Sequence, residues 1–235
     1  MRLPPDAPTP PIVVESTVTI IAFRRTLAAF ATALTVAACA RNPEPLTGLA
    51  AGIAQAQKDS LRYAYTKADI DFMSGMISHH AQAIVMSRWA PTHGASAAVI
   101  RLTERIINAQ TDEITMMQGW LRDRRQIVPE ANPKGMKMMM GGMEHVMAMP
   151  GMLTDAQMAT LDATRGMEFD RNFLIFMIQH HRGAVAMTET LFAARGAGQD
   201  ETVFKFANDV SIDQSTEIVR MAQMVLELAA PAKSP

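Results

Sequence analysis

Two pairs of adjacent histidines have the residue type and spacing that could do chemistry in this chain. His79-His80 and His180-His181 lie in a pattern that begins at Phe72 and occurs again, 101 residues later, at Phe173. The pattern is Phe-x-x-x-Met-Ile-x-His-His-x-x-Ala-(Ile/Val)-x-Met. A neutral imidazole is the commonest nitrogen ligand for metals. A duplicated histidine pair therefore indicates a metal site or a buried polar network.

The helical period places a methionine beside each histidine pair. Met76 lies one turn from His80, and Met177 lies one turn from His181, on the apolar side of its helix. Both copies are therefore predicted to direct imidazole and thioether groups into the protein interior. The same period favours His80 and His181 as the central pair, with His79 and His180 nearer the rim.

A second duplicated pattern, Gln-x-x-Glu-Ile-x-x-Met, begins at Gln110 and Gln214. Its carboxylates, Glu113 and Glu217, fall within apolar helical stripes. A buried carboxylate is costly unless it is paired or bound to a metal. Two interpretations remain open here: the glutamates and histidines ligate a metal together, or they pair with each other without one.

Methionines dominate the segment between the two halves, with eight in seventeen residues. They are Met136, Met138, Met139, Met140, Met143, Met147, Met149 and Met152, with His145 among them. Thioethers are soft ligands that carry no proton, so they suit Cu(I) better than zinc, magnesium or calcium. The alternative is a pliable loop that packs on the core or docks a partner.

The elements that must position these residues are helices. Periodicity predicts long helices at about 67–89, 96–124, 168–195 and 201–228, and the Thr154–Gln157 capping box predicts a short helix. Two copies of one helical hairpin can bury each other's apolar face. The predicted fold is all-α, a ferritin-like four-helix bundle of two duplicated hairpins. The bundle spans 66–229, with halves 66–125 and 154–229, a Met-rich crossover connector at 126–153 and a tail at 230–235.

The N-terminal region resembles a bacterial lipoprotein signal. Arg24 and Arg25 precede an apolar stretch that ends in Ala37-Ala38-Cys39. Residues 1–38 are therefore predicted to be an extension and signal peptide, and 39–65 a tether. Cys39 would carry a lipid that anchors an exported protein to the membrane, facing the periplasm or the cell exterior. As the only cysteine, it excludes an internal disulfide and cysteine-based zinc or iron–sulfur sites.

Charge and motif content exclude several other classes of protein. The chain has 22 Lys and Arg against 23 Asp and Glu, and no basic stripe marks a nucleic-acid surface. No Gly-rich phosphate loop, nucleotide motif or Ser/His/Asp order is visible. A non-enzymatic protein whose partner is a metal ion fits these observations.

With these motifs placed, the chain resembles the bacterial domain-of-unknown-function family 305, the CopM-like proteins. The most telling segments are 71–80 and 169–181, and the resemblance covers about 66–229. It implies a ferritin-like four-helix bundle exported from the cytoplasm. It also implies copper binding, as in characterised members of the family.

Three functions compete on the sequence. The leading one is copper sequestration, handling or tolerance, with Cu(I) at the connector, a second Cu(I) or Cu(II) site in the bundle, and a copper-handling protein as partner. The second is a di-iron or di-manganese oxidoreductase. Such enzymes use Glu-x-x-His, but Ile77 and Ile178 stand where that glutamate is needed. The third is a metal-free envelope scaffold.

Overall fold

The computed structural model describes residues 47–53 and 64–230. The predicted signal peptide, Cys39 and most of the predicted tether lie outside them. The long helices are α1 (Lys67–Arg88), α2 (Ala97–Asp123), α4 (Gly166–Ala193) and α5 (Glu201–Ala229). Between the halves lie β1 (Met136–Met140), β2 (Met143–Met147) and the short α3 (Asp155–Ala163). The predicted helical bundle of duplicated hairpins is confirmed.

Side-chain caps fix where several helices begin. Thr66 and Asp69 form a capping box at the start of α1. Thr154 and Gln157 form the predicted one at α3. Asp200 accepts hydrogen bonds from the first amides of α5. Each cap satisfies amides that the helix itself leaves without partners.

The core consists of two clusters, one toward each end of the bundle. One contains Phe72, Trp120 and Phe206. The other contains Leu102 and Phe173. Helix α1 packs on α2, α4 packs on α5, and α1 packs on α4 to join the halves. The α1–α4 interface carries both histidine pairs.

Two aspartates at equivalent repeat positions tie each half to the other. Asp69 Oδ1 accepts from the amide of Gly198, 2.7 Å away, in the loop before α5. Asp170 accepts from the amide of Ser96, at 3.2 and 3.1 Å, just before α2. These reciprocal bonds preserve the pseudo-two-fold relation of the hairpins.

The connector differs from its prediction as a loop. It contains an antiparallel hairpin in which Met136 pairs with Met147 and Met140 with Met143. Gly141 and Gly142 turn the chain with φ of 59° and 83°, as a two-residue hairpin turn with positive φ requires. Hydropathy alternation could not reveal the strands, because methionines occupy both of their faces.

After the hairpin, residues 149–153 form a strap across α1 and α4. Gln82 of α1 holds it through the backbone of Leu153, donating to its carbonyl at 3.0 Å and accepting from its amide at 2.6 Å. On α4, a β-carbon at Gly183 would lie 2.0 Å from the carbonyl oxygen of Pro150. Only glycine allows the strap to approach α4 so closely.

No helix within 47–53 or 64–230 is both long and apolar enough to cross a membrane.

Candidate metal centre

All four histidines of the duplicated pattern are fully buried at the interface of the halves. The rings of His79 and His180 lie across that interface with centroids 3.8 Å apart. Each is 6.3 Å from its sequence neighbour, His80 or His181. The expectation that His80 and His181 form the central pair and their neighbours the rim is therefore wrong. His79 and His180 meet at the centre, because the crossing of α1 and α4 sets which neighbour faces the other half.

Backbone carbonyls fix the tautomers of the two central histidines. His79 Nε2 lies 3.0 Å from the carbonyl oxygen of Pro150 in the strap. His180 Nε2 lies 3.0 Å from the carbonyl oxygen of His79. A carbonyl only accepts hydrogen bonds, so each Nε2 carries the proton and donates it. In the neutral ring, Nδ1 then keeps its lone pair.

The other two histidines face the glutamates of their own hairpins. His181 Nε2 donates to Glu217 Oε2 at 2.8 Å. Arg105 of the opposite half binds Glu217 Oε1, also at 2.8 Å. His80 Nε2 lies 2.7 Å from Glu113 Oε2, close enough for an ion pair, but it is poorly aligned for a hydrogen bond. Both glutamates therefore lie beside the histidines as expected, and Glu217 orients the ring of His181 through its hydrogen bond.

Burial keeps the central histidines neutral. It is the main cause that lowers the pKa of His79 and of His180 well below the usual value, and the neighbouring imidazoles of the cluster lower both further. Hydrogen bonds to backbone carbonyls oppose this only in part. Both rings therefore offer a free Nδ1 lone pair under mildly acidic as well as neutral conditions.

Unpartnered nitrogen and oxygen atoms gather in this interior. Among the residues that the structure describes, Nδ1 of each of the four histidines is buried without a hydrogen-bond partner, as are the amide oxygens of Gln110 and Gln214, one turn before the glutamates. Buried acceptors without donors are costly unless water or a cation satisfies them. The chemistry of this donor set, imidazole nitrogen and amide oxygen, fits a metal ion.

The described residues, 47–53 and 64–230, contain no ready-made group of three or more His, Cys, Asp or Glu side chains that could hold a metal ion. A metal here would therefore use fewer such ligands, recruit other donors, or reorient the rings. Met76 and Met177, the predicted thioether ligands, are fully buried in the two separate core clusters.

The hairpin brings soft donors together more directly. Met136 pairs with Met147, Met138 with His145, and Met140 with Met143. Because side chains alternate along a strand and cross-strand partners share a face, these six lie on one side of the hairpin. We call them the methionine face. Met136 and Met138 are half-buried, and the other four residues are exposed.

The remaining connector methionines lie elsewhere. Met139 is on the opposite face, together with an ion pair of Lys137 and Glu144 at 3.3 Å. Met149 lies in the strap and packs close to Gly75 of α1. Met152 is buried, and its sulfur lies 3.2 Å from the amide of Met149. Of the eight methionines expected as one cluster, five therefore lie on the methionine face, Met139 is exposed on the opposite face, and Met149 and Met152 pack in the strap.

Several residues that shape the site were not singled out from the sequence. Arg105 and Gln82 belong to no recognisable motif. Gly183 is visible in the sequence as a break in the repeat, because it occupies the position where the first half has Gln82. His93 is buried, and its Nε2 lies 3.0 Å from Asp162 Oδ1. It has a structural role outside the metal centre.

The fold and the site define a class of helical-bundle protein, built from two duplicated hairpins with paired histidines between them. The chain belongs to the family described as Domain of unknown function (DUF305), whose model matches residues 69–225. No curated protein shows a significant match.

Solved structures of this family are similar to the chain. A DUF305 protein from Streptomyces coelicolor, named as a candidate secreted protein, is 30% identical with a TM-score of 0.58, covering 72% of this chain and 98% of its own. CopM in the Cu(I)-bound form is 26% identical with a TM-score of 0.52, covering 69% and 98%. A DUF305 fragment from Deinococcus radiodurans is 27% identical with a TM-score of 0.55, covering 69% and 98%. CopM has also been solved in Cu(II)-bound and Ag-bound forms.

Proposed function

We propose that this protein is an exported copper-binding protein that sequesters or hands over copper and catalyses no reaction. A lipid at Cys39 would anchor it to the membrane, and a copper-handling protein would receive its cargo. The family relation to a candidate secreted protein and to CopM, solved with copper and silver, supports export and metal binding. Copper as the physiological metal and the absence of catalysis are our inference from the donor chemistry.

The observation that carries the proposal is the register of the hairpin. It places five thioethers and one imidazole on the methionine face, and the charged pair of Lys137 and Glu144 on the other. Cross-strand side chains stand close enough to share one ion. Thioether donors select Cu(I) over hard cations. The methionine face is therefore the primary site proposed for Cu(I).

The histidine cluster is the second proposed site. The unpartnered Nδ1 atoms of His79 and His180 belong to rings that burial keeps neutral, and such nitrogen donors suit Cu(II) as well as Cu(I). Glu217 orients His181 from behind, in the way that carboxylates commonly support histidine ligands. Burial at the interface of the halves would isolate this copper from solvent.

Titration with Cu(I) against a competing chelator tests the primary site. A variant with Met136, Met138, Met140, Met143 and Met147 all changed to Leu should lose at least ~100-fold in Cu(I) affinity. The matched control, Met139→Leu, removes one thioether from the opposite face and should retain wild-type affinity. Equal affinity in all three proteins would contradict the proposal. If partner capture survives in the five-Leu variant while no copper binds to wild type, the metal-free scaffold is correct instead.

A further inference from the structure

Helices α2 and α5 flank a groove on the side of the bundle that carries the glutamates. The groove has a volume of about 450 Å³, and its polar lining includes Arg105, Gln110, Glu113, Asp213, Gln214 and Glu217. Residues from both halves thus contribute to one cleft. A cleft lined with carboxylates attracts cations.

Each glutamate reaches from this groove to a buried imidazole. The side chain of Glu113 is 27% exposed and contacts His80, which is fully buried. The side chain of Glu217 is 15% exposed and contacts His181, also fully buried. Both carboxylates therefore lie between solvent and the histidine cluster.

Two further side chains in the groove have an unpartnered oxygen. Gln110 and Gln214 are 4% and 5% exposed, and neither amide oxygen makes a hydrogen bond with any residue that the structure describes. A buried amide can bind a cation through its oxygen. After rotation, its nitrogen can instead donate a hydrogen bond to an imidazole lone pair. Their position among the glutamates is independent evidence that the groove accommodates a charged ligand.

The two sides of the groove are not equivalent. Arg105 binds Glu217 and neutralises it. The residue that corresponds to Arg105 in the repeat is Asp209, which pairs with Lys205 outside the groove lining. Glu113 forms no ion pair with an arginine within residues 47–53 and 64–230, and its contact with His80 is poorly aligned. The Glu113 side is consequently the more open of the two.

We propose that this groove is the port through which a copper ion reaches the buried histidines. Asp213 and Glu113 bind the cation at the solvent end of the groove. Arg105 closes the other side by pairing with Glu217. This inference rests on the proposed function, because it requires the histidine cluster to bind copper. It assigns to the groove a role separate from that of the methionine face.

Loading kinetics test the port. The five-Leu variant of the methionine face serves as background, and stopped-flow quenching of tryptophan fluorescence follows the uptake of Cu(II). Asp213→Asn should slow loading about threefold, and Arg105→Ala should accelerate it about threefold, with both effects shrinking at high salt. Asp71→Asn and Lys67→Ala make the same changes in net charge at an exposed ion pair on α1, away from the groove lining, and should leave the rate unchanged.

Stoichiometry at equilibrium separates the two ideas. If copper still binds the background protein but the groove variants load at the rates of their controls, the port is wrong and copper binding by the histidines stands. If the background protein binds no copper at equilibrium, the histidine site fails, and the port fails with it.

Discussion

The two halves of the bundle share their histidines, glutamates and interhelical aspartates, but they differ where a single strap crosses them. The first half meets the strap with Gly75 and Gln82 of α1. The second meets it with Gly183, at the position equivalent to Gln82. The bundle has a single connector, so the pseudo-two-fold axis that relates the two halves has no second copy of the connector to match it. Gln82 and Gly183, which contact the connector from equivalent repeat positions, therefore differ, whereas the residues around the axis are alike.

A polar difference accompanies this steric one. Glu217 is held by both His181 and Arg105, whereas the ion-pair contact of Glu113 within the described residues is a poorly aligned one with His80. The second half therefore has the more rigid glutamate. The first half has the more accessible one.

The strap contacts give the largest expected difference between the halves. Gly183→Ala would place a β-carbon 2.0 Å from the Pro150 carbonyl oxygen and 2.6 Å from the Gly151 α-carbon. Because shifting the backbone is energetically costly, the free energy of unfolding, measured with urea, should fall by about 3 kcal/mol. Gly75→Ala meets two flexible side chains, with the β-carbon 2.7 Å from the Met149 sulfur and 3.5 Å from the Met187 methyl group, and should cost about 1 kcal/mol or less. Equal losses would show that the strap does not rest on α4 as described.

Acid should reveal what the halves have in common. His79 and His180 have lowered pKa values in the folded protein because they are buried, so the unfolded chain takes up protons first as the pH falls below about 6.5. Stability should be constant above that pH and fall below it by on the order of 1 kcal/mol per histidine per pH unit. Urea unfolding with a chelator present, from pH 7.5 to 5, measures this dependence.

Single substitutions apportion the acid effect between the two rings. His79→Gln and His180→Gln each retain a donor for the carbonyl contact and remove one titrating ring. Each should reduce the acid slope by a similar amount. A slope that is unchanged in both variants would mean that these rings are not held neutral.

The glutamates give the smallest expected difference. Glu217→Gln weakens the contacts with His181 and Arg105, and should cost about 1 kcal/mol in the metal-free protein. Glu113→Gln should cost only a few tenths of 1 kcal/mol, because the contact of Glu113 with His80 is poorly aligned and more exposed. Thermal unfolding of the two variants in chelator gives the comparison. A larger loss at Glu113 would reverse the assignment of the more rigid half.

The helical framework could be predicted from the sequence because periodicity and duplication supported each other. The helix starting near Lys67, the Thr154 cap and the proximity of Glu217 to His181 all followed from spacing. The hairpin did not follow, since methionines on both faces conceal strand alternation. Gly141-Gly142 was its one local signal.

Which histidines meet at the centre was beyond sequence reasoning. His79 and His80 are 100° apart on α1, and both lie near the interface. The choice depends on how α1 crosses α4, and the strap resting on Gly183 belongs to that packing. The break in the repeat at Gly183 could have identified the close contact, but it could not have located the strap that makes it.

X-ray absorption of the Cu(I)-loaded protein identifies the atoms that bind copper. The first shell should be dominated by sulfur in the wild type and in Met139→Leu. In the five-Leu variant of the methionine face that sulfur shell should be absent, and any copper retained should have nitrogen or oxygen neighbours. A nitrogen or oxygen shell in the wild type, unchanged in the five-Leu variant, would contradict a copper site on the methionine face.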